Sequence, residues 1–312
     1  QGLAEACAQL QGALQKKEAE FAGVLKLGRT EMQDAVPVTL GQEFAAWAEA
    51  IARDRWRLYK VEERLREVNL GGTAVGTGLN AERKYVFGVV ERLRSLTGIG
   101  LARDENMIDT TQNADVFVEV SGLLKACATT LIKISNDLRL LSSGPRGGFG
   151  EIRLPDLQAG SSIMPGKVNP VMPEMLAQVA YQTIARDLAI TLAAQGGQLE
   201  LNAFLPLVAA NLLPAMEELT GAMKLFAERC VSGIEANSER CRFHLENSVA
   251  LVTALAPLIG YDRAASLAKQ ALQTDSSVKK SLLDSGLFTA EELDTLLRPE
   301  ALTRPGMVKR PT

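Results

Sequence analysis

The chain has 312 residues, 46% of them hydrophobic and 23% charged, and a formal net charge of −3. This is ordinary globular composition without the basic field of a nucleic-acid binder, and no apolar run reaches the roughly 18 residues of a membrane span. His244 is the only histidine, which excludes a histidine-based triad or a multi-histidine zinc site within the chain.

Cys7, Cys127, Cys230 and Cys241 show no C-x-x-C spacing. They read as reduced thiols of a cytoplasmic protein rather than as metal ligands. The chain opens at Gln1 with no methionine and enters a helical pattern at once, as if cut from a larger protein.

Leu3, Cys7, Leu10, Leu14, Phe21 and Val24 alternate at spacings of four and three, with Lys17 as the polar interruption. The pattern predicts a helix ending near Gly28. A second helix is expected from about Thr39, after Pro37. It carries Phe44, Trp47, Ile51, Leu58, Val61, Leu65 and Val68, with Asp54 as its interruption. Residues 71–80 form a polar, glycine-rich loop. A third run is unbroken: Phe117, Val120, Leu124, Cys127, Leu131, Ile134, Leu138 and Leu141. Its only charged side chains from Val120 to Ser135 are Lys125 and Lys133, so it is expected to be buried almost all round.

Residues 142–169 lack clear periodicity, and a loop this long in a compact domain usually carries function. Helical patterns return over 173–194 and 199–231, with kinks or breaks expected at Pro206 and Pro214. Short helices follow near 238–256, 262–273, 275–285 and 289–297, the last opened by the capping-box pattern Thr289-Ala-Glu-Glu292. The change of character near 232–236 divides the chain into 1–233, a long-helix bundle, and 234–312, a small helical domain. The fold class is all-α, with the bundle forming the core of an oligomer.

The long loop holds Gly160-Ser-Ser-Ile-Met-Pro-Gly-Lys-Val-Asn-Pro170. Two hydroxyls, consecutive backbone N–H groups, one lysine and one amide suit an anionic ligand such as a carboxylate. On composition alone a second reading stands beside it: a structural loop whose serines cap the next helix and whose lysine is solvated.

Gly160 to Asn169 also matches, at every fixed position, the Gly-Ser-x-x-Met-x-x-Lys-x-Asn signature of the aspartase/fumarase superfamily. Leu27-Gly-Arg-Thr30, Gln33 to Glu43, Gly72 to Asn80 and Asn136 to Arg146 resemble further stretches of that family. Within it, Asn69-Leu-Gly71, Gln112-Asn-Ala-Asp115, Val171-Met-Pro-Glu174 and Gly197-Gln-Leu-Glu-Leu-Asn202 resemble the aspartate ammonia-lyase branch. The resemblance covers essentially the whole chain.

The resemblance implies reversible elimination of ammonia from L-aspartate to give fumarate, without metal or organic cofactor. It implies Ser161 as general base on a mobile loop. Ser162 would touch the reacting carboxylate, and Thr30, Lys167 and Asn169 the other one. It further implies a homotetramer acting on a small dicarboxylate, with sites shared between subunits.

Two departures stand out. The family has an N-terminal third, with two more substrate-binding stretches, that precedes the equivalent of Gln1. The resemblance therefore implies a fragment, or a piece present as separate polypeptide. Glu31 stands where many relatives have histidine, and its expected partner is Glu174. A carboxylate there suits an ammonium leaving group better than a hydroxyl, although a surface carboxylate beside a helix start is the plainer reading. Fumarase, or a lyase of another amino-dicarboxylate, is the alternative enzyme, and a non-catalytic helical scaffold is the alternative class. His244, Trp47 and Trp56 read as structural.

Overall fold

The computed structural model describes residues 2–158, 160–274 and 277–310. In chain order the elements are α1 (Gly2–Glu20), β1 (Leu25–Thr30), β2 (Gln33–Thr39), α2 (Leu40–Arg64), β3 (Glu67–Val68), α3 (Arg83–Thr97), β4 (Ala102–Arg103), α4 (Met107–Gln112), α5 (Asp115–Leu141) and β5 (Ile152–Arg153). Then come α6 (Val171–Gln195), α7 (Leu205–Arg229), β6 (Glu235–Ala236), α8 (Ser238–Asn247), α9 (Ala250–Ile259), α10 (Tyr261–Thr274), α11 (Val278–Asp284), α12 (Ala290–Leu296) and α13 (Pro299–Leu302). The architecture is all-α. Among the described residues the strands make only three two-stranded ladders. No described helix is long and apolar enough to cross a membrane.

The chain forms two compact units. The first comprises 1–11, 49–136 and 171–227; the second comprises 12–48, 137–170 and 228–312. The first unit is a bundle whose interior follows the apolar spacing. Cys7, Leu10, Ile51, Val120, Leu124, Cys127, Leu131, Leu176, Leu212, Leu219 and Phe226 are buried. The buried carboxylates of this unit are paired, although Asp54 Oδ2 has no hydrogen-bond partner among the described residues. Asp54 is fully buried and accepts from Arg57 Nη1 at 2.6 Å. Asp187 accepts from Ser121 Oγ and from Lys125 Nζ, each at 2.6 Å. The α5 helix is less enclosed than its sequence predicts: Lys125, Thr129, Lys133 and Asn136 form an exposed stripe at spacings of four, four and three. These are the polar positions that cannot be desolvated cheaply.

The second unit corrects the first expected helix. α1 ends at Glu20, not near Gly28, and the chain turns through Phe21–Val24 into an antiparallel hairpin. Leu25 pairs with Thr39, Lys26 with Val38 and Leu27 with Pro37. Gly28 is no helix stop. It lies in an irregularity of the ladder between Leu27 and Arg29, where a Cβ would sit 2.5 Å from the Val36 carbonyl oxygen. Helical spacing ran on to Val24 because Lys17, the apparent interruption, is itself buried. Its ammonium donates to the Ile234 carbonyl at 2.8 Å and to Glu20 at 2.7 Å.

α2 starts as expected, on a reciprocal cap: Gln42 N donates to Thr39 Oγ1, and Thr39 N donates to Gln42 Oε1, both at 3.1 Å. Its second run is cut at Arg64, and Val68 belongs to β3. Pro206 falls in the first turn of α7, where a missing N–H costs nothing, and α7 runs unbroken through Pro214. The helix expected over 238–256 divides in two at Ser248. The Ser248 hydroxyl accepts from Ala250 N at 3.1 Å and so competes with helical bonding. The expected helix over 275–285 is α11; positions 275–276 lie outside the described residues. Thr289 and Glu292 make the full capping box. One apolar cluster joins Leu245, Leu251, Leu255, Leu282, Leu293 and Leu296 with Leu27 of β1.

Substituting Gly28→Ala tests the hairpin. A methyl against the Val36 carbonyl should destabilise the protein by about 1–3 kcal/mol. Urea unfolding of parent and variant measures it; an unchanged midpoint would mean that the ladder irregularity tolerates a side chain.

Candidate active site

The signature loop is closed on itself by its own backbone. Ser161 Oγ accepts from the backbone N–H of Ile163 and of Met164, both at 3.1 Å. Lys167 N donates to the Met164 carbonyl at 3.3 Å, and Asn169 Nδ2 donates to the Gly160 carbonyl at 2.9 Å. Gly160 packs so closely that a Cβ would overlap the Lys167 carbonyl oxygen. Glycine is therefore the residue that lets the two ends of the loop meet.

Two N–H dipoles aimed at one hydroxyl oxygen stabilise negative charge on it. Ser161 is half-buried, while Ser162, Met164 and Lys167 are exposed. Among the described residues, the side chains of Ser162 and Lys167 engage no hydrogen-bond or ion-pair partner. The serines do not cap α6, which begins only at Val171. Asn169 spends one N–H on the loop itself.

Thr30 and Glu31 lie at the hairpin tip. Thr30 pairs with Gln33 across a two-residue turn of Glu31 and Met32, at φ 53° and φ 65°. Two left-handed residues make the turn that suits a right-twisted hairpin, yet neither is glycine or asparagine. Thr30, Glu31 and Met32 are all exposed. Glu174 lies in the first turn of α6, half-buried.

The sequence gives no warning of a buried ion cluster behind the hairpin. Glu151 is fully buried. Its Oε1 accepts from Arg29 Nη1 at 2.8 Å and lies 2.8 Å from His244 Nδ1. Lys26 Nζ pairs with Oε2 at 3.1 Å and donates to Glu43 Oε1 at 2.7 Å. Arg29 also stacks over the Phe149 ring at 4.2 Å. Burial alone would raise the Glu151 carboxyl, but Lys26 and Arg29, with His244 where its Nδ1 carries a proton, hold it below the usual carboxylate range. For Glu43 the balance is reversed: burial outweighs Lys26 and raises its carboxyl. Burial pushes the nearby Cys241 thiol up to about 12. His244, read from the sequence as structural, is part of this cluster. The partners are 93 residues apart in sequence, beyond any local pattern.

Three of the stretches that carry the resemblance meet in the first unit. Asn69 Nδ2 donates to Thr111 Oγ1 at 3.0 Å, and Asn202 N donates to the Thr111 carbonyl at 3.2 Å. Asn202 Nδ2 donates to the Ala194 carbonyl at 2.9 Å. Gly197 packs on Gln112 and Asn202. These residues knit loops together.

The depressed Glu151 carboxyl fixes the sign of a pH effect. Its stabilising contribution is complete above the unfolded carboxylate pKa and is lost as pH falls through its lower folded value. Glu43 acts oppositely, so the acid loss belongs to Glu151. Glu151→Gln should cost about 3 kcal/mol near neutrality, and the gap to the parent should narrow below about pH 4. Urea unfolding read from Trp47, in a Trp56→Phe background, follows the second unit. A gap independent of pH would show that the Glu151 charge is not what stabilises it.

Residues 1–185 match the Lyase family, and residues 251–304 match the family described as Fumarase C C-terminus. Aspartate ammonia-lyase from Bacillus sp is 47% identical over 308 residues, 99% of this chain and 66% of the relative. Aspartate ammonia-lyase from Pseudomonas fluorescens is 50% identical over 95% of this chain and 62% of its own length. The crystal structure of fumarate lyase:delta crystallin from Brucella melitensis bound to cobalt superposes with a TM-score of 0.91 at 50% identity, covering 96% of this chain and 66% of that one. A recombinant class II fumarase from Schistosoma mansoni gives 0.83 at 35% identity, over 97% and 66% of the two chains. The chain thus spans 62–66% of the length of these relatives. With more than half of its residues inside the family match, the chain belongs to the Lyase family.

Proposed function

We propose that this chain serves the reversible elimination of ammonia from L-aspartate to give fumarate, with Ser161 as general base. The observation that carries the reading is the Ser161 hydroxyl oxygen, which accepts two backbone N–H groups beside the side chains of Ser162 and Lys167, unpartnered among the described residues. Its family setting supports the same reading, since the aspartate ammonia-lyases named above are 47% and 50% identical to this chain.

In this mechanism Ser161, as the alkoxide, takes the proton from the carbon β to the amine. The electron pair moves into the adjacent carboxylate and makes an aci-carboxylate dianion. That pair then returns to form the double bond as the carbon–nitrogen bond breaks and ammonia leaves. Ser162 supports the reacting carboxylate; Thr30, Lys167 and Asn169 hold the other. Catalysis then consists largely of donors aimed at developing charge. Glu31 lies on the ammonium side, and Glu174 is assigned a supporting role. No metal or cofactor takes part in this proposal.

We assign the assembly as a homotetramer. Tyr181, Leu188 and Leu192 lie on one face of α6 and are 52%, 62% and 53% exposed, an apolar stripe that a second copy would cover. A cytoplasmic setting suits the four free, buried cysteines. The apolar cluster from Leu245 to Leu296 supports treating 234–312 as a small helical domain, although it also takes in Leu27.

Ser161→Ala should abolish turnover, a loss of about 10²-fold or more, while sedimentation still reports a tetramer. Elimination within tenfold of the parent would remove Ser161 as base.

A second reading, elimination from a hydroxy-dicarboxylate, is favoured by the likeness to the class II fumarase. Glu31→His separates the two. If the carboxylate favours an ammonium group, the variant should lose amine over hydroxyl preference by about 1–3 kcal/mol in relative kcat/KM. An unaltered preference would make Glu31 a bystander.

A further inference from the structure

We infer that Arg29, Glu151 and His244 form a positioning relay that sets the hairpin tip carrying Thr30 and Glu31, and that protonation of His244 loosens it. The inference rests on the reading of Thr30 as a ligand of the substrate carboxylate.

The relay begins with the irregularity in β1. Along a regular strand, residues 26 and 29 would point to opposite faces. The register shift between Leu27 and Arg29 breaks that alternation, and Lys26 and Arg29 both reach Glu151. Arg29 is thereby gripped from behind while Thr30, its neighbour in the chain, stands exposed at the tip. Glu151 is itself fixed through its backbone. Its N–H donates to the Leu141 carbonyl at 2.9 Å, and its carbonyl accepts from Asn237 N at 2.9 Å. An immobile, fully buried carboxylate therefore dictates where Arg29 sits.

His244 decides how firmly. Its Nδ1 lies 3.0 Å from Arg29 Nη2 and 2.8 Å from Glu151 Oε1. One ring nitrogen cannot accept from the arginine and donate to the carboxylate together. In the neutral Nε2–H form, Nδ1 accepts from Arg29, which is then held by both partners. In the protonated form, Nδ1–H donates to Glu151 Oε1, which then serves both His244 and Arg29 Nη1, and Nδ1 can no longer accept from Arg29 Nη2. Two cations also face each other at 3.0 Å. Arg29 loses the imidazole as acceptor for Nη2 and keeps Glu151 Oε1 shared with His244, the Phe149 ring and a long bond to the Leu27 carbonyl at 3.4 Å.

The other charged groups around the imidazole do not offset this. Lys26 of β1 adds to the repulsion and is occupied by Glu43 of α2. On α8 itself, Arg240 is tied to the carbonyls of Phe149 and Gly148. Cys241 Sγ faces the Glu151 carbonyl at 3.6 Å.

His244 is the only histidine, so its imidazole nitrogen signals in a ¹⁵N-labelled chain are unambiguous. Succinate is the dicarboxylate probe. In the parent, the high-pH spectrum should show the Nε2–H tautomer, and succinate should lower the titration midpoint of His244. Reciprocally, succinate affinity should fall at least fivefold or so as His244 gains its proton. In His244→Gln that fall should vanish. In Arg29→Lys, which keeps the charge without the fork, succinate should no longer move the His244 titration, while circular dichroism stays unchanged. If succinate binds and the pH dependence is the same in the parent and His244→Gln, the relay is wrong. If succinate binds the parent at no pH, the reading of Thr30 fails instead. The relay is then decided by hydrogen exchange at residues 29–32, corrected for intrinsic rates. Exchange that quickens on His244 protonation in the parent but not in His244→Gln supports it, and equal exchange overturns it.

Discussion

A carboxylate with no access to water has to be neutralised where it stands, and Glu151 imposes that demand on the second unit. Meeting it takes two cations from a single strand, Lys26 and Arg29. That in turn takes the ladder irregularity at Gly28, because a regular pleat would offer only one of them. Leu25 and Leu27 meanwhile serve the apolar cluster of the C-terminal helices. One short strand thus answers to two environments. The charge cluster fixes its polar groups and the leucines fix its height. A hairpin so constrained gives the residues at its tip a definite position.

The signature loop solves a different problem. A serine hydroxyl is a poor base in water, so a base role requires that the alkoxide be favoured by its surroundings. The loop supplies this from its own backbone, through the N–H groups of Ile163 and Met164. Such dipoles are fixed before any substrate arrives and need no reorganisation when charge appears. The side chains that would meet a ligand, Ser162 and Lys167, stay outside this internal bonding. The loop therefore separates the groups that shape it from the groups that are free to bind.

What the sequence made legible follows the range of the forces involved. The long helices were legible because apolar spacing is repeated many times within each: Leu124, Cys127, Leu131 and Ile134 are all buried as their spacing requires. The Thr289–Glu292 box was legible because a cap is complete within four residues. The loop was visible as a long stretch without periodicity, and the structure closes it at Gly160, whose approach to Lys167 tolerates no side chain. The hairpin was hidden because buried Lys17 and Lys26 look like solvated positions, and only distant partners, the Ile234 carbonyl and Glu151, make their burial possible. The Arg29–Glu151–His244 cluster joins three distant stretches of chain, and no window of sequence contains it. Helix α3 was missed for the opposite reason: its buried face is only Val86 and Val90, too little periodicity to register.

The turn at Glu31 and Met32 gives the last step. A two-residue hairpin turn asks for glycine or asparagine, and each other residue held left-handed costs about 1–2 kcal/mol. Met32 and Glu31 both bear that cost, at φ 65° and φ 53°. The ladder behind them and the grip on Arg29 are what hold the turn closed against it. Glycine at position 31 would relieve the backbone, but it would remove the one carboxylate at the tip. The strain is therefore tolerated where a side chain is wanted at a fixed point in space, next to Thr30 and one residue beyond the anchored arginine. Backbone strain of this kind gathers at functional sites when the surrounding structure over-determines the geometry. Here the over-determination is the buried charge of Glu151, so the stability of the hairpin and the placement of its tip have the same physical source.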